Sequence, residues 1–529
     1  VKRFGSISPF LEQGQTERRI GRLVANHDFI KALLRYGSFD QYVLANPSAA
    51  NHRDLIAAFD EWGLDAPQRA RVRGVPLVDL AQVIATEAFH VFHVGGWGAF
   101  MPGLHRLRAR HARNRWPITG MIFSVHGRDI FDYAVRLAHA ELCAYDGIAC
   151  LSRDGRDAFA RLLDAGASIA GRRFAGRLEP LPLGVDDDFV DQRGDREAAR
   201  RRLRVESDAV VLLVLGRITP SQKMDLAPLL KAFAQQILPR ARTPIVLVIA
   251  GGASDADRRL VDELVAAYGA GAQVRIHANF MARVKPDLLA AADVLIAPTD
   301  NTQETFGLSL LEAQSAGLPV VASRFDGYKD LVVDGEDGFL IDTWWCASDP
   351  LADVIEVMDP NVAQLVQAQS VAIDMAQLSE RVLTLAHDAD LRARMGAAGR
   401  GKVEREFRFS AVIRRYEAWW DDLAREAAGA PPPIPGDHPY GLSPHEIFAG
   451  YPSGRLQPDD LVIATPGATP DASYRELRPL LDPALLGTML ARAAAPTPVA
   501  DLVALSPAAS RGWFAVMWLL KYGILRRVR

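Results

Sequence analysis

The stretch from Asp293 to Ile341 reads DVLIAPTDNTQETFGLSLLEAQSAGLPVVASRFDGYKDLVVDGEDGFLI, and its order of signals decides the fold class. Val294 to Ala297 is a short apolar run closed by Pro298. Leu308 to Ala316 is a small-residue segment that stops at Gly317, and Pro319 to Ala322 is a second apolar run. Strand, loop, helix and strand in that order make a βαβ unit, which requires a parallel sheet. Ligands of open parallel sheets bind outside the carboxyl ends of the strands, so the polar loop Thr299 to Phe306 is expected at a binding crevice. The free N–H groups of Gly307, Leu308 and Ser309 at the helix start then make an anion site.

Glu304 and Glu312 bracket that helix start with seven residues between them. Helical rise over eight residues separates them by roughly 12 Å, beyond the ~5 to 9.5 Å between the paired carboxylates of a glycosidase. They cannot act on one bond, but they can hold the two ends of a long ligand whose anionic middle lies on the helix N-terminus, such as a nucleotide-diphosphate sugar. In isolation, an E-x7-E spacing more often marks two solvated helix residues.

The run ETFGLSLLEAQSAGLPVVAS resembles the retaining glycosyltransferases of family 4, whose GT-B fold sets two Rossmann-like domains face to face across a cleft. The resemblance extends through Asp334 to Leu340, similar to the family's D-G-x-x-G-x-L tail. It departs at Gly327-Tyr328-Lys329-Asp330, where the family has G-x-x-E. Upstream, Val210 to Leu215 is an uninterrupted apolar strand running into Gly216-Arg217-Ile218-Thr219-Pro220-Ser221-Gln222-Lys223. A buried strand that ends in glycine and two cations is a phosphate site in outline. It is similar to the family's G-R-x-x-x-x-K-G element, with Met224 in place of the last glycine. Ile245 to Gly252 (IVLVIAGG) follows, with Gly251 where similar enzymes close over the nucleotide.

The first half carries strand-like runs at Val75 to Val78, Val91 to Val94, Thr119 to Val125, Gly147 to Leu151 and Leu178 to Leu183, most separated by helix-length segments. Ile7 to Gly14 reads as a strand and glycine turn ahead of a helix ending near Tyr36. The resemblance puts a Gly-rich loop there, represented by Gly14 alone. Ser124-Val125-His126-Gly127 stands where a strand meets a loop. A lone histidine is more often structural, whereas the resemblance implies one that contacts the donor sugar. Gly95-Gly96-Trp97-Gly98 resembles the family's H-x-H-x-W region, so Trp97 is either an acceptor platform or core. Leu183-Gly184-Val185-Asp186 is similar to the family's P-N-G-V-D hinge.

These readings predict domains at 1–200 (acceptor side) and 201–405 (donor side), a helix at 406–428 crossing back, a Pro-rich linker at 429–437, and an accessory domain at 438–529. Trp344 to Ala376 is longer than the resemblance requires and receives no role. GAPPPIP, Gly429 to Pro435, is a stiff extended spacer. The last segment reads as an aromatic helix, a glycine turn at Gly523 and a short basic strand, compatible with a winged helix that docks a peptide or protein.

The 529 residues are 49% hydrophobic with a net charge of −3, a balance without the basic excess of a nucleic-acid or anionic-membrane binder, so no DNA partner is expected. The three cysteines Cys143, Cys150 and Cys346 lack metal-ligand spacing and fit a reducing compartment. No apolar run reaches ~18 residues, and no signal pattern opens the chain, so the expectation is a cytoplasmic enzyme without a membrane span. The resemblance implies transfer of a sugar from a UDP- or GDP-sugar to a hydroxyl-bearing acceptor, with no metal or cofactor. Arg217, Lys223, Gly216, Gly307 and Leu308 would meet the diphosphate, and Glu312 the ribose. Glu304 and His126 would face the sugar, and Phe306 would belong to the donor-binding set. A phosphorylase or sucrose-synthase-like enzyme would share these motifs, and a non-catalytic binding subunit is the alternative of a different class.

Overall fold

The computed structural model describes all residues except 8–20, 47–48, 96–99, 127, 141, 193, 347–351, 356, 432–442, 471–473, 475–476, 478–479 and 529. Its first sheet has seven strands: β1 Arg3–Ile7, β2 Gln41–Asn46, β3 Val72–Pro76, β4 Val91–Val94, β5 Ile118–Ile122, β6 Gly147–Cys150 and β7 Arg177–Pro180. The second has six: β8 Val210–Leu215, β9 Ile245–Gly251, β10 Val274–Ala278, β11 Val294–Ala297, β12 Val320–Ser323 and β13 Gly338–Ile341. Their orders are β3-β2-β1-β4-β5-β6-β7 and β10-β9-β8-β11-β12-β13, and every pairing within them is parallel. All residues of β8 and β9 are buried, which is why VVLLVL and IVLVIAG read as continuous apolar runs and not as alternating ones. Strand order reverses between β1 and β4 and between β8 and β11, and a crevice opens where the crossover helices diverge to opposite faces.

Three strands differ from the sequence reading. One of them, β3, begins three residues before the expected Val75 to Val78 and ends at Pro76, because Leu77–Asp79 is a 3-10 turn. β1 is Arg3–Ile7, ahead of the run expected to be a strand, and most of that run, with Gly14, lies outside the described residues. β2 was not among the expected strands, although Tyr42-Val43-Leu44-Ala45 between Asp40 and Pro47 is a four-residue apolar run with turn residues on both sides. The Arg196–Leu203 helix packs on the Lys285–Ala291 helix of the second domain, and Arg200 reaches Asp293 at 2.7 Å.

The domains are tied at a hinge. The Val185 N–H donates to the Phe407 carbonyl at 2.7 Å, and the Phe409 N–H returns to the Val185 carbonyl at 3.0 Å. The crossing helix Phe409–Gly429 then lies on the first domain. Tyr416 and Trp420 are fully buried among Phe4, Phe29, Phe39 and His93, with ring centroids 4.8 Å apart for Phe29 and Tyr416 and 5.4 Å apart for Phe4 and Trp420. One apolar cluster therefore runs from Phe4 through Leu183 and Val185 to Leu310 and Tyr328.

His105, Cys143 and Asp146 gather around the buried Arg108 guanidinium, which donates to Asp146 at 2.6 and 2.8 Å and to the Cys143 thiol at 3.3 Å. A cation already occupies this cluster, so Cys143 packs a buried ion pair as well as the core.

Beyond the second sheet, β14 Thr343–Trp345 and β15 Val371–Ile373 pair antiparallel and bracket an arm that contains the Pro360–Gln369 helix. The accessory unit has β16 Leu461–Ala464, β17 Thr497–Pro498 and β18 Leu525–Arg527 in the order β17-β16-β18. Helices Val499–Val503 and Ala509–Lys521 pack together as in a helix-turn-helix, and Gly523, at φ 68°, turns the chain into β18. β18 pairs with β16, so among the described residues no wing hairpin follows the last helix. Trp518, Leu519, Val516 and Met489 form an apolar cluster drawn from this unit alone. No helix among the described residues is long and apolar enough to cross a membrane.

Candidate functional site

The crevice at the carboxyl ends of β8 and β11 gathers Gly216, Arg217, Lys223, Glu304, Gly307 and Leu308 among the residues the sequence singled out. After β8, the chain turns through Gly216 to Lys223. Arg217 donates from one guanidinium nitrogen to the Gln222 side-chain carbonyl at 2.7 Å and from another to the Gln222 backbone carbonyl at 3.2 Å. Lys223 forms an ion pair with Glu304, which stands in the loop after β11 and not on the helix. Both side chains are largely buried, at 15% and 13% exposure. The loop is locked to the β8 turn by Thr299, which donates to the Lys223 carbonyl at 2.8 Å, and by Asn301, which donates to that of Ser221 at 2.8 Å.

Two glycines are needed where they stand. A Cβ on Gly251 would run into the Gly216 carbonyl oxygen, so only glycine lets the ends of β8 and β9 approach. Gly307 has φ 111° and lies against the Tyr328 ring, which excludes any side chain. No side chain caps the Leu308–Ser315 helix at Gly307, which leaves its first N–H groups open toward the crevice. Phe306 is buried behind that turn. At the other end of the E-x7-E spacing, Glu312 is held by Lys285 at 2.7 Å. The two acids thus have separate cationic partners.

The first domain closes the crevice from the opposite side. The Thr305 hydroxyl donates to the Phe123 carbonyl just past β5. His126, three residues further on, is in contact with the Ser124 hydroxyl. Burial, and then the nearby Arg217 charge, lower the His126 pKa, so it is a neutral hydrogen-bonding imidazole at pH 7. Arg153 donates to Asp330 at 2.7 Å from both its backbone and its guanidinium, and Lys329 pairs with Asp154. Asp330, where the family pattern has glutamate, therefore fastens the rim of the cleft. Gly14 and Trp97 lie outside the described residues.

Sequence reasoning missed several contributors. Tyr328 is fully buried, backs Gly307, and places its hydroxyl 3.4 Å from Glu304. Asp300 and Asp326 are both pushed up to about 7, chiefly by burial. Asp326 also adopts φ 46°. Acids with strongly raised pKa values in a cleft mark functional sites more often than chance, and the D-G at 326–327 was the available signal. Lys285 carried no signal, because its partner is remote in sequence.

Burial, with Arg217 beside it, pushes the Lys223 ammonium down to about 7, against the pull of Asp326. Below that value the ammonium can bind a diphosphate, and the attraction is lost as pH rises through it. Nucleoside diphosphate affinity of the free protein should therefore fall above about pH 7, by up to about tenfold per pH unit. Lys223→Arg keeps the charge and should flatten this limb. Calorimetric titration between pH 6 and 9 checks it, and a limb unchanged in Lys223→Arg would assign the titration to another group.

Residues 195–359 match the family described as glycosyl transferases group 1. The D-inositol 3-phosphate glycosyltransferase of Geodermatophilus obscurus is 42% identical over 172 residues, which are 31% of this chain and 36% of that protein. Its counterpart from Streptosporangium roseum is 36% identical over 172 residues, 32% of this chain and 38% of that protein. The matched region thus spans little more than a third of these relatives. Among solved structures, Anabaena HepE in complex with UDP and glucose superposes with a TM-score of 0.51 at 16% identity, over 79% of this chain and 99% of its own. Sucrose-phosphate synthase from Thermosynechococcus elongatus gives 0.52 at 15% identity, over 80% and 100%. At such identities these two show the fold alone, while the family match at 195–359 falls on the domain that carries Arg217, Lys223, Glu304 and Glu312. The segment 195–359 is therefore similar to the group 1 glycosyl transferases, and the chain has the GT-B fold.

Proposed function

We propose that this protein transfers a sugar from a nucleotide-diphosphate donor to a hydroxyl-bearing acceptor with retention of anomeric configuration. The observation that carries the reading is the convergence of Arg217, Lys223, Glu304 and an uncapped helix N-terminus at the β8/β11 reversal. Two cations and open N–H groups stabilise the charge that develops as the diphosphate leaves. In this reading the diphosphate displaces Glu304 from Lys223, and the freed carboxylate turns to the sugar hydroxyls. Glu312, steadied by Lys285, takes the ribose. His126 donates or accepts a hydrogen bond at the sugar from the opposite domain and remains neutral. The acceptor attacks on the face from which the diphosphate departs, so no enzyme nucleophile is assigned. The donor carries UDP or GDP, and UDP is supported by the UDP-bound neighbour of the same fold.

A thermal-shift panel of nucleosides, nucleoside diphosphates and nucleotide sugars tests this. A ligand at about 100 times its Kd stabilises the folded protein by about 2.7 kcal/mol, so one diphosphate series should shift the transition and its nucleoside should not. Equal shifts from nucleoside and diphosphate, or none from either, would overturn the reading. Sugar transfer measured against phosphorolysis then separates transferase from phosphorylase.

The accessory unit is assigned to acceptor recognition. Arg511 on its last long helix pairs with Asp79, just beyond the carboxyl end of β3 in the first domain. A chain ended after Gly429 keeps all residues of the donor crevice and removes a unit with its own core, so it should stay soluble and bind the donor nucleotide, while transfer to the natural acceptor falls. An insoluble product, or loss of nucleotide binding, would show that the unit completes the main fold.

A further inference from the structure

The helix of the arm between β14 and β15 touches the turn after β8 at its first end and the helix cap that follows that turn at its second. At the first end, the Gln222 side-chain amide donates to the Asn361 side-chain oxygen at 3.3 Å. The same Gln222 accepts from Arg217 through its side-chain oxygen, so Asn361 engages the one half of the amide that Arg217 leaves free. Asn361 is itself set by the helix cap, because Asp359 accepts its N–H at 2.9 Å and that of Val362 at 3.4 Å. At the second end, Gln369 donates to the Asp225 carboxylate at 2.9 Å, and Asp225 caps the Leu226–Ala232 helix by accepting the Ala227 N–H at 2.9 Å. The Asp225 N–H in turn reaches Asp300 at 3.3 Å. The arm is anchored where the Asp374 N–H donates to the Asp342 carbonyl at 3.0 Å.

We propose that this arm is a brace for the phosphate turn and that Asn361 is a positioning residue, orienting Gln222 and through it the Arg217 guanidinium toward the donor diphosphate. The inference rests on the assignment of Arg217 to the diphosphate. An arginine held bidentately by a glutamine that is itself tethered loses fewer conformations when a diphosphate arrives than a free one does. Releasing the tether therefore lowers diphosphate affinity without removing a charge.

The test is a double-mutant cycle on full-length protein, with UDP, GDP and their nucleosides titrated by calorimetry. Asn361→Ala should weaken the bound diphosphate about three- to tenfold, the range of one hydrogen bond, and leave the nucleoside unchanged. In an Arg217→Ala background the same substitution should have no further effect. Gln369→Ala loosens the other end and should act in the same direction. An Asn361→Ala protein with wild-type diphosphate affinity, or an equal loss with and without Arg217, would overturn the proposal. If Arg217→Ala itself leaves diphosphate affinity unchanged, the diphosphate assignment fails, a result distinct from failure of the brace alone.

Discussion

Lys223→Ala is expected to lower turnover about 10²- to 10³-fold, the scale seen when one preorganised donor to developing charge is removed. The substitution takes away the cation at the end of β8 and strands the Glu304 carboxylate, which is 13% exposed and paired with Lys223 in the resting site. Glu304→Gln separates the two consequences. It releases Lys223 from its internal partner, so nucleoside diphosphate binding should hold or tighten while turnover falls. Loss of both would mean that Glu304 organises the site and does not face the sugar. Glu312→Gln, which acts on a different lysine, should instead raise the donor KM. Steady-state kinetics and diphosphate titration of the three variants decide among these outcomes, and a Lys223→Ala protein with wild-type turnover would remove the lysine from the mechanism.

Trp420→Ala is expected to cost about 3–5 kcal/mol, read as an early denaturation midpoint. Its indole is fully buried, donates to the Thr119 hydroxyl at 3.2 Å and is packed among Phe4, Phe39, His93 and Tyr416. Removal leaves a cavity that surrounding rings cannot fill and frees the crossing helix from the first domain. Because that helix also sets the hinge at Val185, donor turnover should become more temperature-sensitive than in wild type. A midpoint within about 1 kcal/mol of wild type would show that the helix is held mainly by its polar ties, Glu417 to Ser38 and Asp421 to Lys2 and His90.

The second domain was legible in the sequence because its determinants are local. Parallel strands buried on both faces must be apolar throughout, and β8, β9 and β11 occupy or nearly occupy the runs that composition marks. Gly307 and Gly251 stand at positions that only glycine can fill, and the cations after β8 are adjacent in the chain. β1 was less legible because RFGSI mixes arginine, glycine and serine with its apolar residues, whereas β2 carried a readable run in Tyr42-Val43-Leu44-Ala45.

Sequence alone thus determined the βαβ order, the two sheets and the group types at the β8/β11 crevice, all of which follow from backbone periodicity and steric exclusion over a few residues. The tertiary structure decided the pairings: Lys223 with Glu304, Lys285 with Glu312, Arg153 with Asp330, Arg511 with Asp79, and the arm with the phosphate turn. Those choices depend on which strand ends lie side by side once the sheets reverse, and a charge finds its partner by distance in space, which spacing along the chain does not encode.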